Sequence, residues 1–179
     1  MNTSFPSNHV FILMGVSGSG KSAVANAVAH ELNAAFLDGD FLHPRANIEK
    51  MASGHPLNDE DRQPWLQAIN DAAFAMQRTN AVSLIVCSAL KKSYRDILRQ
   101  GNQNLSFVYL KGDFDTIETR LRARKGHFFK PQMLVTQFAT LEEPIGEEQD
   151  VLVVDIAQSL DEVIAATLKT IDGVIKQDK

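Results

Sequence analysis

The chain has 179 residues, and its 44% hydrophobic content is enough to fill one substantial core, so we expect a single domain over residues 1–179. Its formal net charge of −4 gives no overall attraction to nucleic acid or acidic lipid, and neither is expected as a partner. The apolar run from Val10 to Met14 is far shorter than the roughly 20 residues of a membrane span. With Cys87 as its single cysteine, the chain is expected to be cytoplasmic.

Short apolar runs alternate with longer segments of helical periodicity. Strands are predicted at Val10–Met14, Ala34–Leu37, Val82–Cys87, Leu105–Leu110 and Val151–Ile156. Helices are predicted at about Lys21–Leu32, Asp59–Arg78, Lys91–Gln100, Asp113–Arg124, Pro131–Leu141 and Leu160–Lys176. Because unbroken apolar strands that alternate with helices form parallel sheets covered on both faces, the pattern predicts a three-layer α/β domain. Residues 1–8 are expected to be a mobile tail.

A phosphate-binding loop is predicted between the first strand and the first helix. Its residues are Gly15, Val16, Ser17, Gly18, Ser19, Gly20, Lys21 and Ser22, which match G-x-x-x-x-G-K-[ST] in the strand-to-helix context that this motif requires. The backbone N–H groups and Lys21 are expected to hold the phosphates of ATP, and the Ser22 hydroxyl is expected to bind Mg²⁺. The alternative, a glycine-rich turn that matches by chance, is disfavoured by that context.

Motifs elsewhere in the sequence indicate which type of P-loop protein this is. Neither N-K-x-D nor D-x-x-G, two motifs of GTPases, occurs in the chain, so a regulatory GTPase is disfavoured. The third strand ends in Cys87 rather than in an acid, so another carboxylate must act on the metal. Asp38 and Asp40 follow the second strand and, in an extended segment, would face one cleft, with Asp38 towards Mg²⁺ and Asp40 towards a substrate hydroxyl. The alternative is a solvent-exposed Asp-Gly-Asp turn.

Longer strings resemble one family over nearly the whole chain. They are LDGDFLHPRANIEKMASGHPLNDEDRQPW from Leu37, CSALKKSYRDILR from Cys87, RLRARKGHFFKPQML from Arg120 and QFATLEEP from Gln137. In these strings the chain closely resembles the gluconate kinases, the bacterial gluconokinase family. The resemblance implies ATP-dependent phosphorylation of D-gluconate at its 6-hydroxyl. It also implies a P-loop NTPase fold similar to nucleoside monophosphate and shikimate kinases, with a five-stranded parallel sheet in the order 2-3-1-4-5, and a homodimer.

A gluconate site needs a cation for the carboxylate and several hydrogen-bonding groups. Candidates follow the second strand at Asp40, His43 and Arg45, and the third strand at Ser88, Lys91 and Arg95. Asp40 is expected to orient the attacking hydroxyl or to take its proton. Lys91 and Arg95 lie four apart, so one is expected to bind the carboxylate and the other the transferred phosphate. The alternative for this pair is a solvated basic face.

The densest positive cluster lies in residues 120–141, which are expected to form a mobile lid. It contains Arg120, Arg122, Arg124, Lys125, His127 and Lys130. Closure of such a lid over ATP would exclude water and bring cations to the phosphates, and Arg120 and Arg124 are the candidates for this catalytic role. The alternative is a basic helix end that complements its own dipole.

Two rival functions remain open at this point. One is a kinase of the same fold that acts on another small acceptor, such as shikimate or a nucleoside monophosphate. The other is a regulatory module that binds ATP and transfers nothing.

Overall fold

A computed structural model describes residues 7–124, 130–144 and 146–177. The strands are β1 His9–Met14, β2 Ala35–Asp38, β3 Val82–Val86, β4 Leu105–Lys111 and β5 Val151–Asp155. The helices are α1 Lys21–Leu32, α2 Arg45–Ala52, α3 Asp59–Thr79, α4 Lys92–Arg99, α5 Phe114–Ala123, α6 Pro131–Thr140 and α7 Leu160–Gln177. A short 3-10 helix, Gly39–Leu42, follows β2.

The five strands form one parallel sheet in the order β2-β3-β1-β4-β5, as predicted. At its carboxyl edge Asp38 pairs with Val86, and Val86 pairs with Leu13, two residues before the phosphate loop. Neighbouring strands lie about 4.8 Å apart, so the end of β2 is only about 10 Å from the loop across the sheet. The topology therefore brings the acidic pair and the phosphate loop to one edge.

Helices cover both faces of the sheet, which confirms the three-layer architecture. Alternate residues of β1 point to opposite sides: Phe11 and Leu13 join the core under α1 and α7, whereas Val10 and Ile12 join the core under α3 and α4. Because the central strands β1, β3 and β4 are buried on both faces, they consist of apolar runs, and these runs are the sequence pattern that predicted the strands.

One helix was not predicted. α2 follows Pro44 and buries only Asn47 among its eight residues, so it lacks the apolar stripe on which helix prediction depends. Its position is fixed by a polar contact instead: the Asn47 side-chain amide donates to the backbone carbonyl of Asp61 at 2.8 Å.

The turn after β2 differs from the predicted extended segment. Asp38 ends the strand and Asp40 lies within the 3-10 helix, so the argument from alternating side chains was wrong. Asp38 instead caps the 3-10 helix, because its Oδ1 accepts the Asp40 N–H at 3.0 Å. Gly39 permits this turn: a Cβ there would lie 2.5 Å from the Val86 carbonyl oxygen.

The structure describes only part of the two segments that were expected to be mobile, the N-terminal tail and the lid. Residues 1–6 lie outside the described residues, and the Asn8 side chain donates to the Gln77 carbonyl, so the predicted tail is anchored near its end. Residues 125–129, including Lys125 and His127 of the predicted lid, also lie outside them. No helix in the described parts of the chain is long and apolar enough to cross a membrane.

We predict that Gly39→Ala destabilises the protein by about 2 kcal/mol or more, because the added methyl would collide with a strand carbonyl that cannot move away. Urea unfolding measures the loss. The control is Gly173→Ala, which lies in α7 with open space around it and should be neutral or stabilising. Equal midpoints for the two variants would contradict this account of the turn.

Candidate active site

The phosphate loop is held between two other parts of the sheet edge. The Gly15 N–H donates to the Ser88 carbonyl at 3.2 Å, which joins the start of the loop to the segment after β3. Gly18 has φ +82, and a Cβ there would lie 2.6 Å from Leu121 of α5. The close approach of α5 and the left-handed backbone both require glycine at this position. The loop therefore has the cradle shape that phosphate binding needs.

The Lys21 side chain binds to the backbone of the phosphate loop. Its Nζ donates to the carbonyls of Gly15 at 2.9 Å and Val16 at 3.0 Å. An ammonium group has three N–H donors, so one is left for a phosphate oxygen. Burial lowers the pKa of Lys21 to about 8, while the charges of Asp40 and Asp38 act in the opposite direction. Both aspartates are therefore close enough for their charges to act on the lysine.

The oxygen ligands that Mg²⁺ prefers are present at this edge. Ser22 exposes its side chain at the start of α1, and Asp38 retains its second carboxylate oxygen after capping the 3-10 helix. Among the described residues no cluster of three or more metal-binding side chains occurs. In kinases Mg²⁺ takes one or two protein oxygens and completes its shell with phosphate and water. Cys87 is buried, and burial raises its pKa to about 12, so β3 contributes no anion.

The His43 ring is fixed by two contacts, with Trp65 and with Asn47. The ring stacks on Trp65 at 4.2 Å between centroids, and the Trp65 indole N–H donates to the Gly39 carbonyl. The Asn47 amide nitrogen lies 3.3 Å from His43 Nδ1. That nitrogen can only donate, so Nδ1 is the acceptor and Nε2 of the neutral ring carries the proton. Burial lowers the pKa of His43, so the ring presents a neutral N–H donor.

A second cluster lies where α3 and α4 begin. Lys91 Nζ binds the Asp59 carboxylate at 3.1 Å, and Tyr94 donates its hydroxyl proton to the same carboxylate. Arg62 lies over the Tyr94 ring at 5.7 Å and donates to the Leu57 carbonyl. The charge of Arg62 also lowers the pKa of His43 further, so Arg62 lies near both polar clusters.

Arg62 is therefore a candidate that the sequence analysis missed. Arg62 lies in the string that starts at Leu37, but the sequence analysis placed it in a helix and gave it no role in the site. The available signal was its position in the first turn of a helix that begins at the carboxyl edge of the sheet, where α/β proteins bind ligands.

The prediction that Arg95 binds substrate was wrong. Arg95 is 0% exposed, and its Nε and Nη2 bind the Glu148 carboxylate at 2.7 and 2.9 Å. Its remaining bonds go to the carbonyls of Ala89 at 2.7 Å and Glu142 at 2.8 Å. α4 begins only at Lys92, so Lys91 and Arg95 do not form the predicted common face. The guanidinium joins loops instead of meeting a ligand.

The remaining predicted residues are placed as follows. Arg45 is exposed at the first turn of α2, and Ser88 is half-buried with its carbonyl on the phosphate loop. Arg120 Nη2 donates to the carbonyls of Ile156 and Gln158, so it is anchored on the segment after β5 and this arrangement does not support its predicted contact with phosphate. Arg124 caps the end of α5 and is exposed.

The fold and the site together define a class of protein. The carboxyl edge of a 2-3-1-4-5 parallel sheet carries a phosphate loop, a partly buried lysine, an acidic pair and two clusters of polar side chains. These are the parts of a P-loop kinase for small molecules.

Comparison with known proteins narrows the class. The model of the shikimate kinase family matches residues 17–172. The chain is 75% identical over 171 residues to the thermoresistant gluconokinase of Escherichia coli (strain K12), covering 96% of this chain and 98% of that one. It is 52% identical over 146 residues to the thermosensitive gluconokinase of the same organism, covering 82% and 78%. A gluconokinase crystal structure from Sinorhizobium meliloti 1021 superimposes with a TM-score of 0.85 at 40% identity, covering 97% of both chains. The chain belongs to the gluconokinase family.

We predict that kcat/KM for Mg-ATP falls as the pH is raised through about 8, because the free enzyme loses the positive charge of Lys21 there. Bound phosphates stabilise the ammonium, so kcat at saturating ATP should hold to higher pH. Initial rates from about pH 6.5 to about pH 9.5 measure both profiles. In Lys21→Arg the side chain stays charged, so the alkaline fall should disappear although the rate is lower. A fall that persists in this variant would assign it to another group.

We predict that Arg95→Met lowers the free energy of unfolding by about 3 kcal/mol, because it leaves a largely buried carboxylate and two backbone carbonyls without their partner. The matched control is Lys92→Met, which breaks an exposed pair with Asp96 and should cost at most about 1 kcal/mol. Urea unfolding of both variants measures the difference. If Arg95→Met instead raised KM for the acceptor without loss of stability, the ligand-binding role would be restored.

Proposed function

We propose that this chain transfers the terminal phosphoryl group of ATP to the 6-hydroxyl of D-gluconate, giving 6-phospho-D-gluconate and ADP with Mg²⁺ as the metal. Family membership supports this reaction, and the observation that carries it is that the charge of Asp40 acts on Lys21 of the phosphate loop. Asp40 is accordingly proposed as the group that meets the acceptor hydroxyl.

The reaction is a displacement at phosphorus. A bond forms between O6 of gluconate and the γ-phosphorus, and the bond from that phosphorus to the bridging oxygen of ADP breaks. The proton of the hydroxyl passes to Asp40, or Asp40 orients the hydroxyl while the proton leaves later. Two N–H groups of the Lys21 ammonium bind loop carbonyls, and the third stabilises negative charge on the phosphates.

Recognition of gluconate is proposed for the two clusters beside Asp40. The Nε2–H of His43 is a donor for a substrate hydroxyl, since Asn47 holds the ring in that tautomer. Lys91 and Arg62 lie together at the start of α3 and α4 and supply positive charge for the carboxylate. Arg45 and Ser88 are proposed as further contacts with substrate hydroxyls.

Magnesium and the lid complete the proposal. Ser22 would bind Mg²⁺ directly, and Asp38 would bind it through water; when bound, the ion offsets the charge of the phosphates. Arg124, at the end of α5 and the start of the lid, is the cation proposed to approach the phosphates when residues 120–141 close over ATP.

The surroundings of the enzyme are also proposed. We infer a cytoplasmic homodimer: the single cysteine fits a reducing compartment, and the resemblance to gluconate kinases implies the dimer. Light scattering of the purified protein tests the assembly.

The decisive experiment is coupled ADP release with Mg-ATP, comparing D-gluconate, shikimate, AMP and no acceptor. We expect turnover that depends on gluconate and falls at least about a hundredfold in Lys21→Ala and in Asp40→Ala, since each removes a charged group at the transferred phosphate. The control is Asp115→Ala, an exposed acid on α5, which should keep its activity.

Each other outcome has a definite meaning. Turnover with shikimate or AMP alone would transfer the assignment to another kinase of this fold. ATP binding without turnover on any acceptor, unchanged in Asp40→Ala, would favour the regulatory module.

A further inference from the structure

A side chain of α6 contacts the phosphate loop directly. Gln137 Oε1 accepts the Ser17 N–H at 2.6 Å, and Gln137 Nε2 donates to Ser17 Oγ at 2.9 Å. These are two bonds between residues 120 positions apart in sequence. Ser17 is the third residue of the phosphate loop, so the carboxamide is fitted to the loop by both a backbone and a side-chain contact.

The rest of α6 is fixed to the protein at the same end. Leu134 is buried in the core, and Phe138 packs on Phe114 of α5 with 5.5 Å between ring centroids. Just after the helix, the Glu142 N–H donates to the Leu90 carbonyl at 2.8 Å. The other end of α6 begins at Pro131, so the whole helix lies within residues 120–141, the predicted lid region. Gln137 therefore joins the phosphate loop to the anchored second half of that region.

The chemistry of the side chain suits this place. A carboxamide can accept from the Ser17 N–H and donate to the Ser17 hydroxyl without bringing charge. A carboxylate of the same shape would place a negative charge beside a loop that must bind phosphate. By holding Ser17, Gln137 fixes the backbone whose following N–H groups, from Gly18 onwards, meet the phosphates.

We propose that Gln137 is a positioning residue for phosphoryl transfer, which acts through Ser17 to hold the phosphate loop in its binding shape and in register with the lid helix. This inference rests on the proposed kinase function, because the loop must bind ATP for its shape to matter.

The test compares Gln137→Ala with Gln132→Ala, a matched glutamine that is exposed on the same helix. For Gln137→Ala, kcat/KM for ATP should fall about tenfold, the order expected when two hydrogen bonds that shape a site are lost. KM for gluconate should stay within about twofold, because the acceptor cleft lies on other elements. The stabilisation that Mg-ATP gives against heat should shrink, while the melting temperature without nucleotide should fall by only about 5 °C, the order expected for two lost hydrogen bonds.

Gln137→Glu tests the need for a neutral group. It keeps the size of the side chain, but its charge should raise KM for ATP more than alanine does, and added salt should reduce that rise. Activity equal to that of the unaltered enzyme would contradict the role of neutrality.

The outcomes separate this inference from the function on which it rests. Identical ATP kinetics and identical ATP stabilisation in Gln137→Ala and Gln132→Ala would overturn it. So would a rise in KM for gluconate equal to that for ATP, since it marks general loosening. If the unaltered enzyme failed to phosphorylate gluconate, the proposed function would fall, yet the heat-stabilisation assay with Mg-ATP would still decide the role of Gln137.

Discussion

The arrangement of the site depends on one buried cation, Arg95. Its bonds reach the Ala89 carbonyl after β3, the Glu142 carbonyl after α6 and the Glu148 carboxylate before β5. Ser88, next to Ala89, in turn receives the first N–H of the phosphate loop. A guanidinium presents its donors in a rigid plane, so a single side chain can fix three segments at set distances. The hydrogen bonds from Arg95 and Arg99 hold the pKa of Glu148 at about 2, which keeps this junction charged over the whole physiological range.

The acceptor side of the cleft depends on packing of a different kind. Gly39 lies against the carbonyl of Val86, and its own carbonyl accepts the Trp65 indole N–H. The His43 ring stacks on the Trp65 ring, and Asp40 directly follows Gly39 in the sequence. The acid and the imidazole are therefore placed by one glycine and one tryptophan, neither of which needs to touch a ligand. Such a supporting arrangement lets two short polar segments act as a rigid surface.

The sheet could be predicted because both faces of its central strands, β1, β3 and β4, are buried, which leaves unbroken apolar runs in the sequence. The order of the strands was implied by the resemblance to gluconate kinases. The phosphate loop could be predicted because its chemistry requires specific residues in one contiguous string. α2 could not, since it is held by Asn47 rather than by an apolar stripe. The burial of Arg95 could not either, because Glu148 lies 53 residues further along the chain and local spacing carries no information about such a pair.

Cys87 has a consequence for measuring motion in this protein. It is the single cysteine of the chain, it is 1% exposed, and burial raises its pKa to about 12. Reagents that need an accessible thiolate will therefore leave it untouched at neutral pH. A cysteine introduced at the exposed position of Ala123, at the end of α5, would take a fluorescent label alone. The natural sequence thus provides no competing thiol for a fluorescent label that would report the proposed closure of residues 120–141.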